Sequence, residues 1–274
     1  MAAFAGGVDE GRMSLVEHLR ELRNRLGISL LGIFVGVVAA WFLYQPIYDF
    51  LKAPYCEIPS LKTCDLYALN IFDQFKARLR ISFMAGTVLA SPVWLYELGA
   101  FITPALHRKE RRYAATFLAG SLTLFLVGAA FAYLTIDRGL SFLLTVGGEG
   151  IVTLTSIQSY LSFVSLMLLS FGVAFEFPVI ILFLHLVGVL PAARMRAWRR
   201  GMVFGIFAVA ALITPSQDPF TFMIMAVPLC LLYEAVILFA RVRERRRRHR
   251  EAADPLHQIP DDETSVVDEE PSRL

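Results

Sequence analysis

The chain has 274 residues, 56% of them apolar and 18% charged, with a formal net charge of +2 and a mean hydropathy of +0.57. Soluble domains are less apolar and about a quarter charged, so this composition excludes an average soluble domain. The small net charge identifies no partner, because a membrane sorts charges between its two sides; nucleic acid is not expected among the partners.

Apolar residues sit in long uncharged runs separated by short charged knots. A run of about 18 or more such residues reads as a transmembrane helix, since ~20 residues span a hydrocarbon core of ~30 Å. Residues 1–13 lack the basic start and short apolar core of a cleavable signal peptide. They are expected to be a flexible N-terminus, with Met13 as an alternative start and the first apolar run kept as a signal anchor. Leu26 to Tyr48 carries no charge and is the first span, closed by Pro46. Gln45 to Phe72 reads as a polar loop. The second helix begins near Phe72, carries Lys76, Arg78 and Arg80 in its first turns, and is apolar from Ile81 to Tyr96. Tyr113 to Ile136 is the third span, and Gly147, Gly148 and Gly150 mark the loop after it. The fourth runs from Ser156 to Val189, with Glu176 inside it and a kink expected at Pro178. Gly201–Pro215 and Pro219–Ala240 form the fifth and sixth spans around a tight loop at Ser216 and Gln217. The fifth reaches only ~22 Å at ~1.5 Å per residue, so local bilayer thinning is expected around it.

The fold class is therefore an all-α membrane protein with a six-helix transmembrane domain over residues 14–240. Residues 241–274 form a tail, first arginine-rich and then acidic, expected to be disordered. Basic residues precede span one (Arg12, Arg20, Arg23, Arg25), separate spans two and three (Arg108, Lys109, Arg111, Arg112), separate four and five (Arg194, Arg196, Arg199, Arg200), and follow span six. The intervening loops hold only Lys52, Lys62 and Arg138 besides the basic start of helix two. Positively charged loops stay on the cytoplasmic side, which puts both termini in the cytoplasm.

Acids inside or beside spans are the informative residues, because burying them is costly. Glu21 lies in Glu17-His18-Leu19-Arg20-Glu21-Leu22-Arg23-Asn24-Arg25, an amphipathic helix leading into span one. It reads either as a solvated ion pair with Arg25 four residues on or as an acceptor. Glu110, among Arg108, Lys109, Arg111 and Arg112, reads either as a surface pair or as an acceptor for an incoming guanidinium. Glu176 stands mid-span and is a functional candidate by position, against the alternative of a hydrogen-bonded structural acid. Pro178 nearby frees a backbone carbonyl, which suits a helix facing protein or a water-filled cavity. Glu97 and Glu234 lie nearer helix ends and weigh less.

Gly32/Gly36 and Gly201/Gly205 allow close helix approach, in-bundle packing being the reading preferred over a partner helix. Cys56 and Cys64 share an outward loop where a bridge is one option; Cys230 reads as core. No phosphate-binding glycine loop, zinc motif or histidine ligand spacing occurs, so no enzyme activity, cofactor or metal site is expected.

Besides Glu17 to Arg25, the chain carries the islands Leu51-Lys52-Ala53-Pro54, Ala90-Ser91-Pro92-Val93-Trp94-Leu95-Tyr96, Phe101-Ile102-Thr103-Pro104-Ala105-Leu106 and Glu110-Arg111-Arg112. Further on come Phe175-Glu176-Phe177-Pro178, Thr214-Pro215 with Asp218, and Leu232-Tyr233-Glu234. In order and position these islands resemble the TatC family, a likeness that runs from about Glu17 to Ala240. The resemblance implies the core receptor subunit of the twin-arginine translocase, which exports folded proteins across the bacterial inner membrane using the proton-motive force. Its fold is implied to be a concave bundle with short fifth and sixth spans. Glu21 and Glu110 match the acids that bind the signal peptide, with Arg23 and Phe101 beside them. Glu176 matches the intramembrane acid, Asp218 the acid after span five, and Pro54 a further functional position. Single-span TatA- and TatB-type subunits, twin-arginine signal peptides, the lipid bilayer and further copies of the chain are the implied partners. Two departures stand out: the family usually has an amide and a tryptophan at Glu97 and Gly99, and the loop Pro215-Ser216-Gln217-Asp218-Pro219 looks one residue longer. The rival reading is a proton-coupled solute transporter with Glu176 as proton carrier, which predicts inverted repeats that the sequence lacks. A purely structural scaffold leaves Glu176 unexplained.

Overall fold

The computed structural model describes residues 15–58, 64–102, 111–146, 154–214 and 219–252. In lipid every backbone polar group must be satisfied within the protein, so long apolar runs become helices. The described residues form α1 (Leu15–Phe42), α2 (Tyr44–Cys56), α3 (Asp73–Leu89), α4 (Ser91–Ile102), α5 (Arg111–Tyr133), α6 (Ile136–Val146), α7 (Ile157–Leu186), α8 (Ala192–Ala197), α9 (Arg199–Ile213) and α10 (Pro219–Ala252). Among the described residues the one β-bridge joins Tyr67 to Ser156 and ties the loop before α3 to the start of α7.

Four segments are long and apolar enough to cross a membrane: Val16–Phe42, Phe117–Leu144, Ile157–Leu186 and Pro219–His249. The pair Asp73–Leu89 and Ser91–Phe101, bent by 55°, makes a fifth if counted as one span. With 15 residues, α9 is shorter than these. The most enclosed span is α7, which packs on α3, α5 and α10; α1, the least enclosed, leans on α3 and α4. Ser156 caps α7, its side chain accepting from Ser159 N, and Pro178 is accommodated without interrupting the helix.

The stretch from Gln45 is not a loop but the helix α2 as far as Cys56, and the first span ends at Phe42, before Tyr48. Pro46 opens α2 instead of closing α1; in the first turn of a helix its missing N–H costs nothing. The segment looked polar because α2 is amphipathic. Leu51, Pro54 and Tyr55 are buried, Tyr160 Oη donates to Leu51 O at 2.6 Å, and Phe50 stacks on Tyr133 at 4.3 Å.

Helix two is broken at Ala90. Pro92 lacks the N–H that would reach back to the Val88 carbonyl, and its ring crowds that carbonyl. The chain turns there, with Trp94 Nε1 donating to Thr87 O at 3.0 Å across the bend.

The basic part of the tail is helical to Ala252, where disorder was expected. Arginine is a good helix former, and Glu244 fixes the extension by accepting from Ala192 N at 2.8 Å. Residues 253–274 and 1–14 lie outside the described residues, as do Gly147, Gly148, Gly150, Ser216 and Gln217.

The glycine pairs part company. Gly36 and Gly86 bring the α1 and α3 backbones together: a Cβ on Gly36 would meet Gly86 O at 2.5 Å, and one on Gly86 would meet Val37 N at 2.4 Å. Gly201 and Gly205, expected to pack within the bundle, face open space instead. Cys56 and Cys64 are joined as a disulfide, with Cα atoms 4.9 Å apart.

Candidate functional site

The opening turns of α1 are polar on one face because Glu17, Glu21 and Arg25 recur every four residues, while Leu22 and Leu26 continue the apolar face. This stacks Glu21 beneath Arg25. Arg25 Nε and Nη2 donate to Glu21 Oε1 at 2.9 and 2.7 Å, the pair that the spacing predicts. The same guanidinium also reaches α4, where Nη1 donates to Glu97 Oε2 at 3.1 Å. Two carboxylates from different helices thus share one cation, leaving one formal negative charge. Charge-assisted bonds of this kind are about twice as strong as neutral ones. Glu21 Oε2 is buried and has no hydrogen-bond partner among the described residues.

Apolar walls surround this cluster. A cavity of about 340 Å³ is lined by Leu22, Leu26, Leu30, Ile33, Trp94, Leu98 and Val173, with Arg25, Glu97 and Phe101 among its polar and aromatic members. Phe101 lies four residues after Glu97, one turn along α4, and stacks on His18 at 4.7 Å. Glu21, Arg25, Glu97, His18 and Phe101 are therefore one cluster. Arg23 points to the outside, exposed, with Nη2 donating to Asn24 Oδ1 at 3.5 Å. Glu110 and Asp218 lie outside the described residues.

Glu176 occupies a second place. It is 4% exposed on α7, and Ser121 of α5, fully buried, lies within reach of it. The two do not complete a hydrogen bond: Glu176 Oε1 and Ser121 Oγ are each buried without a partner among the described residues. An unpartnered carboxylate oxygen in an apolar core costs free energy. Val173, one turn earlier on α7, lines both the cavity beside Glu97 and a second of about 360 Å³ between α7, α9 and α10. Pro54 lies on α2, a different helix from either acid, and is buried there. Among the described residues no group of three His, Cys, Asp or Glu is placed to hold a metal ion.

Sequence reasoning gave Glu97 little weight because it sits near a helix end. The signal that would have raised it is its four-residue spacing from Phe101, which puts the two on one face of α4. Nothing in the sequence singles out His18, because its ring contact crosses between helices. Glu234, also given little weight, pairs with Arg199 between α10 and α9.

Fold and site together define a class: a multi-spanning helical membrane bundle with a carboxylate–guanidinium cluster at one end and a buried acid in its central helix. Residues 17–228 match the family described as Sec-independent protein translocase protein (TatC), and the chain belongs to that family. Its relatives include the TatC proteins of Frankia casuarinae, 46% identical over 95% of this chain and 74% of the relative; of Aquifex aeolicus, 35% identical over 86% and 98%; and of Escherichia coli K12, 34% identical over 88% and 93%. Crystal structures of the twin arginine translocase receptor TatC, one of them in DDM, superpose with TM-scores of 0.71 and 0.70. Each is 35% identical to this chain and covers 82% of it and 99% of the matched chain.

Proposed function

We propose that this chain is the membrane receptor for twin-arginine signal peptides and the core subunit through which folded proteins are exported, driven by the proton-motive force. The observation that carries the reading is Glu21. It already holds a guanidinium, its second oxygen is buried and unpartnered, and it stands beside an apolar cavity. A signal peptide offers the matching chemistry, since its basic start is followed by a short apolar segment. Guanidinium is planar and bonds a carboxylate through two donors, which lysine cannot reproduce. Two consecutive arginines call for two acids, Glu21 and Glu110, with Phe101 flanking Glu21 and Arg23 beside it.

In this reading α9 is a short fifth span of six, and the bilayer thins around it. Arginine placement puts both termini in the cytoplasm of a bacterial inner membrane. The bridged cysteines then face an oxidising compartment, as a stable disulfide requires. Single-span TatA- and TatB-type subunits complete the machine, which uses no cofactor and catalyses no covalent chemistry. Glu176 and Asp218 act in transport rather than in recognition.

The test is export in cells that lack their own receptor, supplied with this chain and single-span partners. A folded reporter with a twin-arginine signal is expected outside. The twin-lysine version is expected to stay inside, and Glu21→Ala or Glu110→Ala is expected to abolish export of the first. Equal export of both reporters would refute the reading.

A further inference from the structure

Arg25 fills the acceptor that a receptor for guanidinium needs. Any arginine arriving at Glu21 meets a carboxylate whose Oε1 already takes two bonds from Arg25, at 2.9 and 2.7 Å. Arg25 is mostly covered, its side chain only 25% exposed. Were Glu21 its only partner, taking that partner away would be unfavourable, because the partly desolvated charge would be left uncompensated. A site built from Glu21 and Arg25 alone would therefore resist its own ligand.

Glu97 removes that obstacle. It comes from a different helix, it is the least exposed of the three side chains at 13%, and it holds Nη1, a nitrogen that Glu21 does not use. Its grip on Arg25 does not depend on Glu21. We infer that Glu97 is a positioning residue that keeps Arg25 paired while Glu21 changes partner. Arg25 releases Oε1, remains on Glu97 at the wall of the cavity, and leaves Glu21 with both oxygens for the incoming guanidinium. The charges support the exchange: Glu21, Glu97 and Arg25 sum to one negative charge before binding, and the arriving arginine brings the sum to zero. No proton or covalent bond moves. The inference deepens the receptor reading and rests on it.

A double-mutant cycle on the full-length chain in nanodiscs tests it, reading the affinity of a fluorescent twin-arginine signal peptide and of its twin-lysine variant. Glu97→Leu is expected to weaken twin-arginine binding about tenfold, a size typical of coupled contacting residues. In the Arg25→Gln background the same substitution is expected to change affinity by less than about twofold, because the cation that Glu97 retains is gone. Glu97→Gln, which keeps the shape and one acceptor but not the charge, is expected to show the same pattern at about threefold and serves the cycle if Glu97→Leu unfolds. A loss that persists in the Arg25→Gln background would make Glu97 a direct contact of the peptide and overturn the positioning role. Undiminished binding by both Glu97 variants would overturn it too. Equal affinity of the wild-type chain for the two peptides would instead strike the receptor reading itself, and that result is visible before any variant is made.

Discussion

Glu176 states the residue-scale problem most plainly. It is nearly inaccessible on the central helix, one carboxylate oxygen lacks a partner among the described residues, and Ser121 faces it without closing a bond. An ionisable group kept at that cost is a functional candidate by position, and the proposed function gives it work in transport. Glu176→Gln is expected to lower export of a folded twin-arginine reporter by about tenfold or more, while signal-peptide binding stays within about twofold, since one decade corresponds to ~1.4 kcal/mol. Export at the wild-type rate would remove that role. This acid was legible in the sequence because it interrupts an apolar run, where any charge stands out. Glu21 was legible as half of a helical ion pair. The third member of its cluster was not, because Arg25 and Glu97 are 72 positions apart and no local period connects them.

At the scale of elements, hydropathy marked the long spans but missed the amphipathic helix. The apolar residues of α2 are spaced for one buried face and never form a run, so the segment read as a polar loop. The bend at Ala90 was missed as well, because hydropathy continues across Pro92. The glycine pairs were equally ambiguous in sequence, since a small-residue spacing says that helices can approach and not that they do. Their difference is measurable. Gly86→Ala must push apart two backbones and is expected to lower stability by about 1–3 kcal/mol. Gly201→Ala, in open space, is expected to be neutral or to stabilise by up to ~1 kcal/mol through helix propensity. Thermal unfolding of the two variants in the same detergent checks the contrast, and equal losses would contradict it. The disulfide gives a second check: of the chain's 3 cysteines, only Cys230 is free. A maleimide added to the unfolded, unreduced chain is expected to label Cys230 alone, with Cys56 and Cys64 reacting only after reduction.

For the whole molecule, the two candidate places rest on different helices. The guanidinium cluster sits where α1 begins and α4 ends, and the buried acid lies on α7 one turn past Val173, which lines both the cavity beside Glu97 and the one between α7, α9 and α10. Under the proposed function recognition belongs to the cluster and transport to Glu176, so substitutions at the two places are expected to separate binding from transport. The shortness of α9 belongs to the same scale. A 15-residue helix covers about 22 Å, well below the ~30 Å of a typical core. Export reconstituted in vesicles of shorter-chain lipids is expected to run faster than in thick ones, and an opposite trend would argue against thinning around this helix.

Whether paired acids read paired arginines is answered by photo-crosslinking. A signal peptide carrying a photoreactive residue next to its arginines, and its twin-lysine variant, are each irradiated with the purified chain and with its Glu21→Ala and Glu110→Ala variants. Labelling is expected to need the arginines and to be lost in both variants. Equal labelling by the two peptides, untouched by either substitution, would contradict that reading.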